Sequence, residues 1–245
     1  MRSSFSKEER LEIKKKTSKN VIYLAIGSMI MIFLGLSSGY YIGKSGPVWV
    51  SITVPPDFFI SSGVIILSSI TFFIGLRMAK KGKFNLLPIF MIITLILGLS
   101  FVKFQRDGWK YMKSRGMYLS DVFKIDGLIN NKDAVYGLDY KIYVNGNELK
   151  YEDGVFYDKR DDYNSIPIYP SLDADNVSSS WMYMLTGLHL AHLIGGLISL
   201  IVVTIKSLFK KYTENDIVGI EVSSIYWHFL DFLWLSLLFL LYFVG

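Results

Sequence analysis

The chain has 245 residues, of which 51% are hydrophobic, and it carries a formal net charge of +5. It contains no cysteine, which excludes disulfides, thiolate metal sites and cysteine nucleophiles. Lysine and arginine cluster in the first 20 residues and in short loops between long apolar runs. This distribution is typical of the loops of a multi-pass membrane protein, and we expect no nucleic-acid partner.

Five apolar stretches are long enough to cross a bilayer, whose hydrocarbon core of about 30 Å needs about 20 helical residues. They follow a polar, basic segment at residues 1–20 and predict an all-α membrane protein, a five-helix transmembrane bundle. The predicted spans are Val21–Ile42, Phe58–Leu76, Phe84–Val102, Trp181–Ile205 and Val222–Val244. The first span is too long for the core of a signal peptide, so we interpret it as retained.

The charges of the loops predict the orientation. Residues 1–20 carry seven lysines and arginines, and the loops 77–83 and 206–221 are also basic. In the loop 43–57, Lys44 is the only basic residue. The positive-inside rule therefore predicts a cytoplasmic amino terminus, with the carboxyl terminus and the stretch 103–180 outside. We expect a multi-pass protein of the bacterial inner membrane, with domains at 1–20, 21–115, 121–175 and 181–245.

Residues 121–175, between the third and fourth spans, are predicted to form a small β-rich extramembrane insert. Residues 138–144 and 147–151 alternate with period two around Asn145-Gly146. This pattern predicts a hairpin, because both central residues of a type I′ turn need a positive φ. A segment this short, with no disulfide or metal, would have only a small hydrophobic core of its own. We therefore expect it to pack against a neighbouring part of the protein or complex.

Ionisable side chains inside a bilayer are costly and are therefore functional candidates. The fourth and fifth spans contain His189, His192, His228 and Asp231. A rise of 1.5 Å per residue puts His192 roughly 16 Å below the outer end of its span and Asp231 roughly 13 Å above the inner end of the next. These levels nearly coincide in a core about 30 Å thick, so we hypothesise that His192 and Asp231 pair between the helices.

Three roles remain open for these polar groups. Ligation of a haem by two histidines fits poorly because the depths differ, and a metal site would need Asp231 to complete its ligands. A proton path is a second role. The third is structural, with hydrogen bonds between helices that lock the bundle, and Thr186 is a further member of this set.

Small and aromatic residues favour the structural role. Gly187, Ala191 and Gly195 recur every four residues on one face of the fourth span, next to Gly196, and such spacing permits close helix approach. Aromatic side chains near the span ends are interpreted as an interfacial belt. They are Trp181, Tyr183, Tyr226, Trp227 and Tyr242.

Two stretches resemble a known family. Residues 181–196, WMYMLTGLHLAHLIGG, resemble the TGxHxxHxxGG helix of subunit III of the haem-copper oxidases. Residues 226–234, YWHFLDFLW, resemble that family's YWHFxDxxW helix, with Tyr226, Trp227 and Trp234 as its aromatic positions. Weaker similarity at 55–59, 67–71 and 105–109 extends the resemblance to about residues 20–115 and 179–245. Five spans match the shorter form of the family.

The chain departs from the family pattern in two places. The family often carries a glutamate in a context like SExMxFxGL, where this chain has Ser28-Met29-Ile30-Met31. A proton-handling role of that glutamate therefore does not transfer to Met29. The second departure is the insert at 121–175, which is unusual for the family.

The resemblance implies a non-catalytic accessory subunit of a respiratory terminal oxidase. Haem and copper would reside in the partner subunits I and II, and this chain would hold no cofactor, metal or catalytic residue. It would bind phospholipids and stabilise subunit I, while the insert is a candidate contact for cytochrome c or a neighbouring complex. The alternatives are an accessory protein of a nitric oxide reductase, a free-standing transporter and a bis-histidine membrane cytochrome.

Overall fold

The computed structural model describes residues 6–119, 131–161, 163, 166–168, 178–213 and 216–245. Within these residues, five helices are long and apolar enough to cross a membrane, and one four-stranded antiparallel sheet lies outside them. The helices are α1 (Lys7–Lys44), α2 (Pro56–Lys80), α3 (Leu87–Ser114), α4 (Ser178–Leu208) and α5 (Val218–Phe243). The strands are β1 (Val48–Ile52), β2 (Tyr140–Val144), β3 (Asn147–Glu152) and β4 (Val155–Asp158). The predicted fold class, a five-helix membrane bundle with a small β insert, is confirmed.

Helix α1 begins well before the first predicted span. Its amino terminus is a capping box, in which the Ser6 amide donates to the Glu9 carboxylate and the Glu9 amide donates to the Ser6 hydroxyl. This reciprocal pair satisfies two amides that a helix start otherwise leaves unpaired. The lysines and glutamates that follow are good helix formers, so the basic segment continues the membrane helix.

By contact, the chain divides into two compact units. The first contains the residues up to Ile32 together with Phe59–Phe104 and Leu188–Leu235. The second contains Phe33–Phe58, Gln105–Gly187 and the residues from Ser236 onward, and it includes the whole sheet.

The sheet of the second unit has the strand order β1-β2-β3-β4. The predicted hairpin is confirmed: β2 pairs with β3, and the turn residues Asn145 and Gly146 have φ angles of 49° and 80°. Strand β1, from the short segment between α1 and α2, was not predicted. It pairs with β2 in a register that sets Val50 opposite Ile142, and it provides the sheet with buried apolar side chains, including Trp49.

A buried carboxylate joins the sheet to the end of α3. Asp139 accepts hydrogen bonds of 2.8 Å from the Tyr111 hydroxyl, the Arg115 guanidinium and the Val135 amide. The paired charge and the three donors compensate its loss of water. The start of β2 is thereby fixed on α3.

Candidate functional site

The aromatic residues of the YWHFxDxxW motif on α5 each donate a hydrogen bond to another helix of the first unit. The Tyr226 hydroxyl donates to the main-chain carbonyl of His192 on α4 at 3.0 Å. The Trp227 indole donates to Ser68 on α2 at 3.1 Å, and the Trp234 indole donates to Ser62 on α2 at 2.9 Å. Both indoles are fully buried, so the interpretation of Trp227 as an interfacial aromatic is wrong. A buried indole N–H needs a partner, and α2 supplies it.

Helix α2 is also bonded to α3 in this region. The Ser68 hydroxyl lies 3.4 Å from the carbonyl oxygen of Thr94, to which it donates. The Thr71 and Thr94 hydroxyls are 2.9 Å apart. The Ser68 hydroxyl therefore forms hydrogen bonds with two other helices, since it accepts from the Trp227 indole on α5 and donates to the Thr94 carbonyl on α3. The Ser68 and Thr71 hydroxyls belong to the segment 67–71, where the sequence shows the weaker family similarity.

His228 and Asp231 lie one turn apart on α5 and face α2. The His228 Nδ1 atom is 2.5 Å from the Ser69 hydroxyl, and its ring packs against Phe72 with centroids 6.0 Å apart. Ser69 also faces the Asp231 carboxyl. Asp231 is buried, and neither of its oxygens makes a hydrogen bond within the described part of the chain.

The predicted pair of His192 and Asp231 is wrong for the described chain. The His192 Nδ1 atom lies 2.8 Å from the Leu188 carbonyl of its own helix, whereas Asp231 faces Ser69 on α2. The depth estimate matched their levels, but it gave no information about the direction in which each side chain points around its helix.

His189 occupies an aromatic pocket rather than a ligand set. It is fully buried, with its ring centroid 6.0 Å from that of Phe101 and 5.4 Å from that of Trp234. Neither ring nitrogen has a hydrogen-bond partner among the described residues. The described residues also contain no group of three or more histidine, aspartate or glutamate side chains that could hold a metal ion.

Close packing of small residues centres on Gly196. A Cβ atom at Gly196 would lie 2.8 Å from Leu230 Cδ1 and 3.3 Å from the Trp227 ring. A Cβ at Gly98 on α3 would lie 2.8 Å from the same indole. Trp227 is thus enclosed between two glycines, which explains how so large a side chain is fully buried.

The predicted face of small residues on α4, Gly187, Ala191 and Gly195, is packed less closely within the chain than Gly196 is. A Cβ at Gly195 would be 3.5 Å from the Tyr226 hydroxyl, and one at Gly187 would be 3.9 Å from Trp109. Ala191, which lies between them on this face, is exposed. Its role in helix packing stays a prediction.

In the second unit, Thr186 links α4 to α3. The Trp109 indole donates to the Thr186 hydroxyl at 3.1 Å, and that hydroxyl donates to the Met182 carbonyl at 2.6 Å. The Tyr183 hydroxyl reaches the carbonyl oxygens of Trp109 and Met117 at 3.2 and 3.1 Å. These bonds join the first motif helix to the segment after the third span.

These features define a multi-pass helical membrane protein whose interior is held by indole, hydroxyl and imidazole hydrogen bonds. Comparison with known proteins identifies the relatives. A sequence model of the family described as cytochrome c oxidase subunit III matches residues 165–245, the region that contains both motif helices. The match confirms the resemblance of α4 and α5 to that family.

Individual relatives extend the similarity along the chain. It is 24% identical over 229 residues to the probable cytochrome c oxidase subunit 3 of Nocardia farcinica, covering 89% of this chain and 84% of the relative. It is 25% identical over 228 residues to the probable subunit 3 of Mycobacterium leprae, with the same coverage. It is 37% identical over 76 residues to cytochrome c oxidase subunit 3 of Drosophila yakuba, or 31% of this chain and 29% of the relative. The chain is therefore related to the subunit III family of the haem-copper oxidases.

Proposed function

We propose that the chain is a non-catalytic accessory subunit of a respiratory haem-copper terminal oxidase. The main support is similarity over most of the chain to relatives named cytochrome c oxidase subunit 3. The hydrogen bonds of Tyr226, Trp227 and Trp234 add to it, because they give the matched motif a structural role in holding helices together. In this proposal, haem and copper reside in subunits I and II.

Stabilisation of the catalytic subunit is the proposed role within the complex. Helix α1 supports it, because large apolar side chains along this helix are exposed in the chain alone. Leu24, Met31 and Leu34 are 77%, 73% and 61% exposed. Some of this surface would face lipid acyl chains and some the neighbouring subunit, and both environments suit apolar side chains.

The proposed orientation places the start of α1 in the cytoplasm and the sheet in the periplasm. Cations concentrate where α1 begins, at the end of α2 with Arg77 and Lys80, and at the end of α4 with Lys206. These three positions share one side of the membrane if each helix crosses it once, as the positive-inside rule requires. Cysteine scanning of the cysteine-free chain with an impermeant thiol reagent tests this orientation: Ser45→Cys should react from outside and Lys81→Cys should not.

The proposed association is tested by purifying the tagged chain from its native membrane. We expect a haem-copper oxidase core to co-purify, detected by its haem spectrum and by mass spectrometry of its subunits. Trp227→Phe should reduce the yield of the core, whereas Ser100→Ala should not, because among the described residues the Ser100 hydroxyl bonds its own helix, at the Ile96 carbonyl. Three results would contradict the proposal: co-purification of a nitric oxide reductase core instead of an oxidase core, a haem spectrum in the chain purified without other subunits, or the absence of any core.

A further inference from the structure

Helix α1 has a polar extension, residues 7–20, that precedes the first apolar span at Val21. At a rise of 1.5 Å per residue, this α1 extension is about 21 Å long. Isolated helices of such a length are only marginally stable in water, and apolar packing does little to hold this one. In the apolar part of α1 that belongs to the first unit, residues 21–32, Met29 is the only buried side chain.

A cavity separates the α1 extension from the helices beside it. Its volume is about 510 Å³, and its lining includes Lys14 and Ser18 of the extension, Val203 of α4 and Val222 of α5. On this side the described part of the extension therefore stands off from the apolar surfaces of α4 and α5. Its position must be fixed by other interactions.

Ion pairs connect the α1 extension to the start of α5. The Lys19 Nζ atom lies 2.7 Å from a carboxylate oxygen of Glu221, and the Lys15 Nζ atom lies 3.7 Å from the same oxygen. Lys15 and Lys19 are four residues apart and therefore share one face of the helix. Lys14 pairs at 2.8 Å with Asp216, which shortly precedes α5. These lysines thus direct one side of the extension towards α5.

Glu221 is the buried member of these pairs. Its side chain is 9% exposed, whereas those of Lys14 and Asp216 are 54% and 40% exposed. Exposed pairs contribute little to stability, but removing one partner of a buried charge leaves the other poorly solvated. Glu221 also lies in the first turn of α5, where the helix dipole favours a carboxylate. Lys80, at the end of α2, adds a further charge interaction with Glu221, so this carboxylate attracts cations from both α1 and α2.

We propose that Glu221 is an ionic latch that holds the α1 extension against α5 and thereby positions α1 for a neighbouring subunit. Lys15 and Lys19 close the latch. The positioning role rests on the proposed function, because the exposed apolar side chains Leu24 and Met31 follow the extension on the same helix. Since the latch is electrostatic and its lysines are partly exposed, salt should open it. The hydrogen bonds between α2 and α5 are buried and should persist.

Hydrogen exchange of the full chain in detergent, measured by mass spectrometry of the peptides that cover the α1 extension, tests the latch. Glu221→Gln should accelerate exchange there about fivefold, a factor that corresponds to about 1 kcal/mol. The wild type should respond in the same direction in about 1 M salt, where the screening length is about 3 Å. Glu12→Gln is the matched control, because Glu12 is an exposed carboxylate of the same extension, and it should exchange as the wild type does.

Charge reversal distinguishes an open latch from a damaged fold. Glu221→Lys alone should accelerate exchange of the extension, because it places a third cation beside Lys15 and Lys19. Adding Lys15→Glu and Lys19→Glu to this variant should return the exchange rate, corrected for the intrinsic rate of each sequence, towards that of the wild type. Equal exchange in Glu221→Gln and Glu12→Gln would overturn the latch, as would a triple variant that does not recover.

Co-purification with the oxidase core tests the positioning role. Glu221→Gln should lower the yield of the core severalfold relative to Glu12→Gln, and the charge-reversed triple variant should recover it. Faster exchange of the extension with an unchanged yield would overturn the positioning role. Absence of a core from the wild type would instead contradict the proposed function, whereas the exchange rates decide on the latch in either case.

Discussion

The indole N–H of Trp227 on α5 donates to the hydroxyl of Ser68 on α2 across 3.1 Å, and both groups are fully buried. The same serine donates to the Thr94 carbonyl on α3. One hydroxyl therefore connects three helices, and two glycines make room for the indole. The bond links the most distinctive part of the sequence, the YWHFxDxxW motif, to the weakly similar segment 67–71.

The bond between Trp227 and Ser68 should be measurable as a coupling free energy. We expect Trp227→Phe and Ser68→Ala each to destabilise the chain, and the double variant to lose less than the sum. Hydrogen bonds between membrane helices contribute about 0.6 kcal/mol on average and at most about 1.7 kcal/mol. Reversible unfolding in mixed micelles would measure all three variants, with Ser100→Ala as the control. Strict additivity would show that the two groups do not interact.

The space around Trp227 gives a second prediction. Gly196→Ala should destabilise the chain by about 1–3 kcal/mol, because the added methyl group overlaps Leu230 Cδ1 and crowds the buried indole. Gly35→Ala is the matched control, since a Cβ there meets nothing within 4 Å, and alanine is the better helix former. The same unfolding assay should therefore find Gly35→Ala neutral or slightly stabilising. A tolerated Gly196→Ala would contradict the close packing.

The sequence predicted the elements of this fold better than it predicted their contacts. Hydropathy sets the number of spans, and the Asn145-Gly146 turn fixes the hairpin register, because both are local properties of the chain. Strand β1 was missed although Val48–Ile52 is rich in β-branched residues, because a five-residue strand needs a partner that comes about 90 residues later. The partner of His192 was also missed, since it depends on side-chain direction and not on depth.

The surroundings of Asp231 lead to a third prediction. Its carboxyl faces the neutral Ser69 hydroxyl and has no cationic partner among the described residues, so Asp231→Asn removes no ion pair and keeps an oxygen that can face Ser69. Burying an amide also costs less than burying a carboxylate. Asp231→Asn should therefore leave stability unchanged or increased, and His192→Gln should show no coupling to it in a double-mutant cycle. Strong destabilisation by Asp231→Asn would restore the idea of a paired carboxylate.

The sheet should respond to acid through Glu148. Its carboxylate lies 3.2 Å from Lys141 and 3.0 Å from Lys159. Burial raises the pKa of Glu148, but hydrogen bonds and charge interactions with these two lysines outweigh it, so the pKa is lowered on folding. The stabilisation is thus present above the unfolded pKa of about 4.3 and is lost as the pH falls through the lower folded value.

Hydrogen exchange of the β2 and β3 amides, corrected for the intrinsic rate at each pH, would measure this loss of stability. Glu148→Gln should remove the part of the pH dependence that lies just below pH 4.3, and Glu12→Gln, an exposed position on α1, should not. Arg160 lowers the pKa of Asp158 to about 2 by a hydrogen bond, so a second carboxylate contributes a pH dependence that continues down to about pH 2 in both variants. An unchanged profile in Glu148→Gln would show that the two lysines do not stabilise the strands.

The insert is proposed to contact cytochrome c or a neighbouring complex, and β1 determines how this contact can be tested. Deleting residues 122–176 would remove β2 from β1 and expose Trp49 and Val50, so a loss of function could reflect damage to the sheet. Substitutions on the insert surface avoid this problem. Leu138 and Ile166 are 71% and 70% exposed, and a partner that binds the insert would bury apolar side chains such as these.

Leu138→Ser with Ile166→Ser should therefore weaken turnover with the natural electron donor, or association with the neighbouring complex, while turnover with an artificial donor stays at the wild-type level. A loss of one apolar anchor typically weakens an interface about fivefold to thirtyfold. Lys132→Ser, at an exposed polar position of the same insert, serves as the control. Equal behaviour of the apolar double variant and the control in both assays would exclude this surface as the contact, because the sheet beneath it is intact in each.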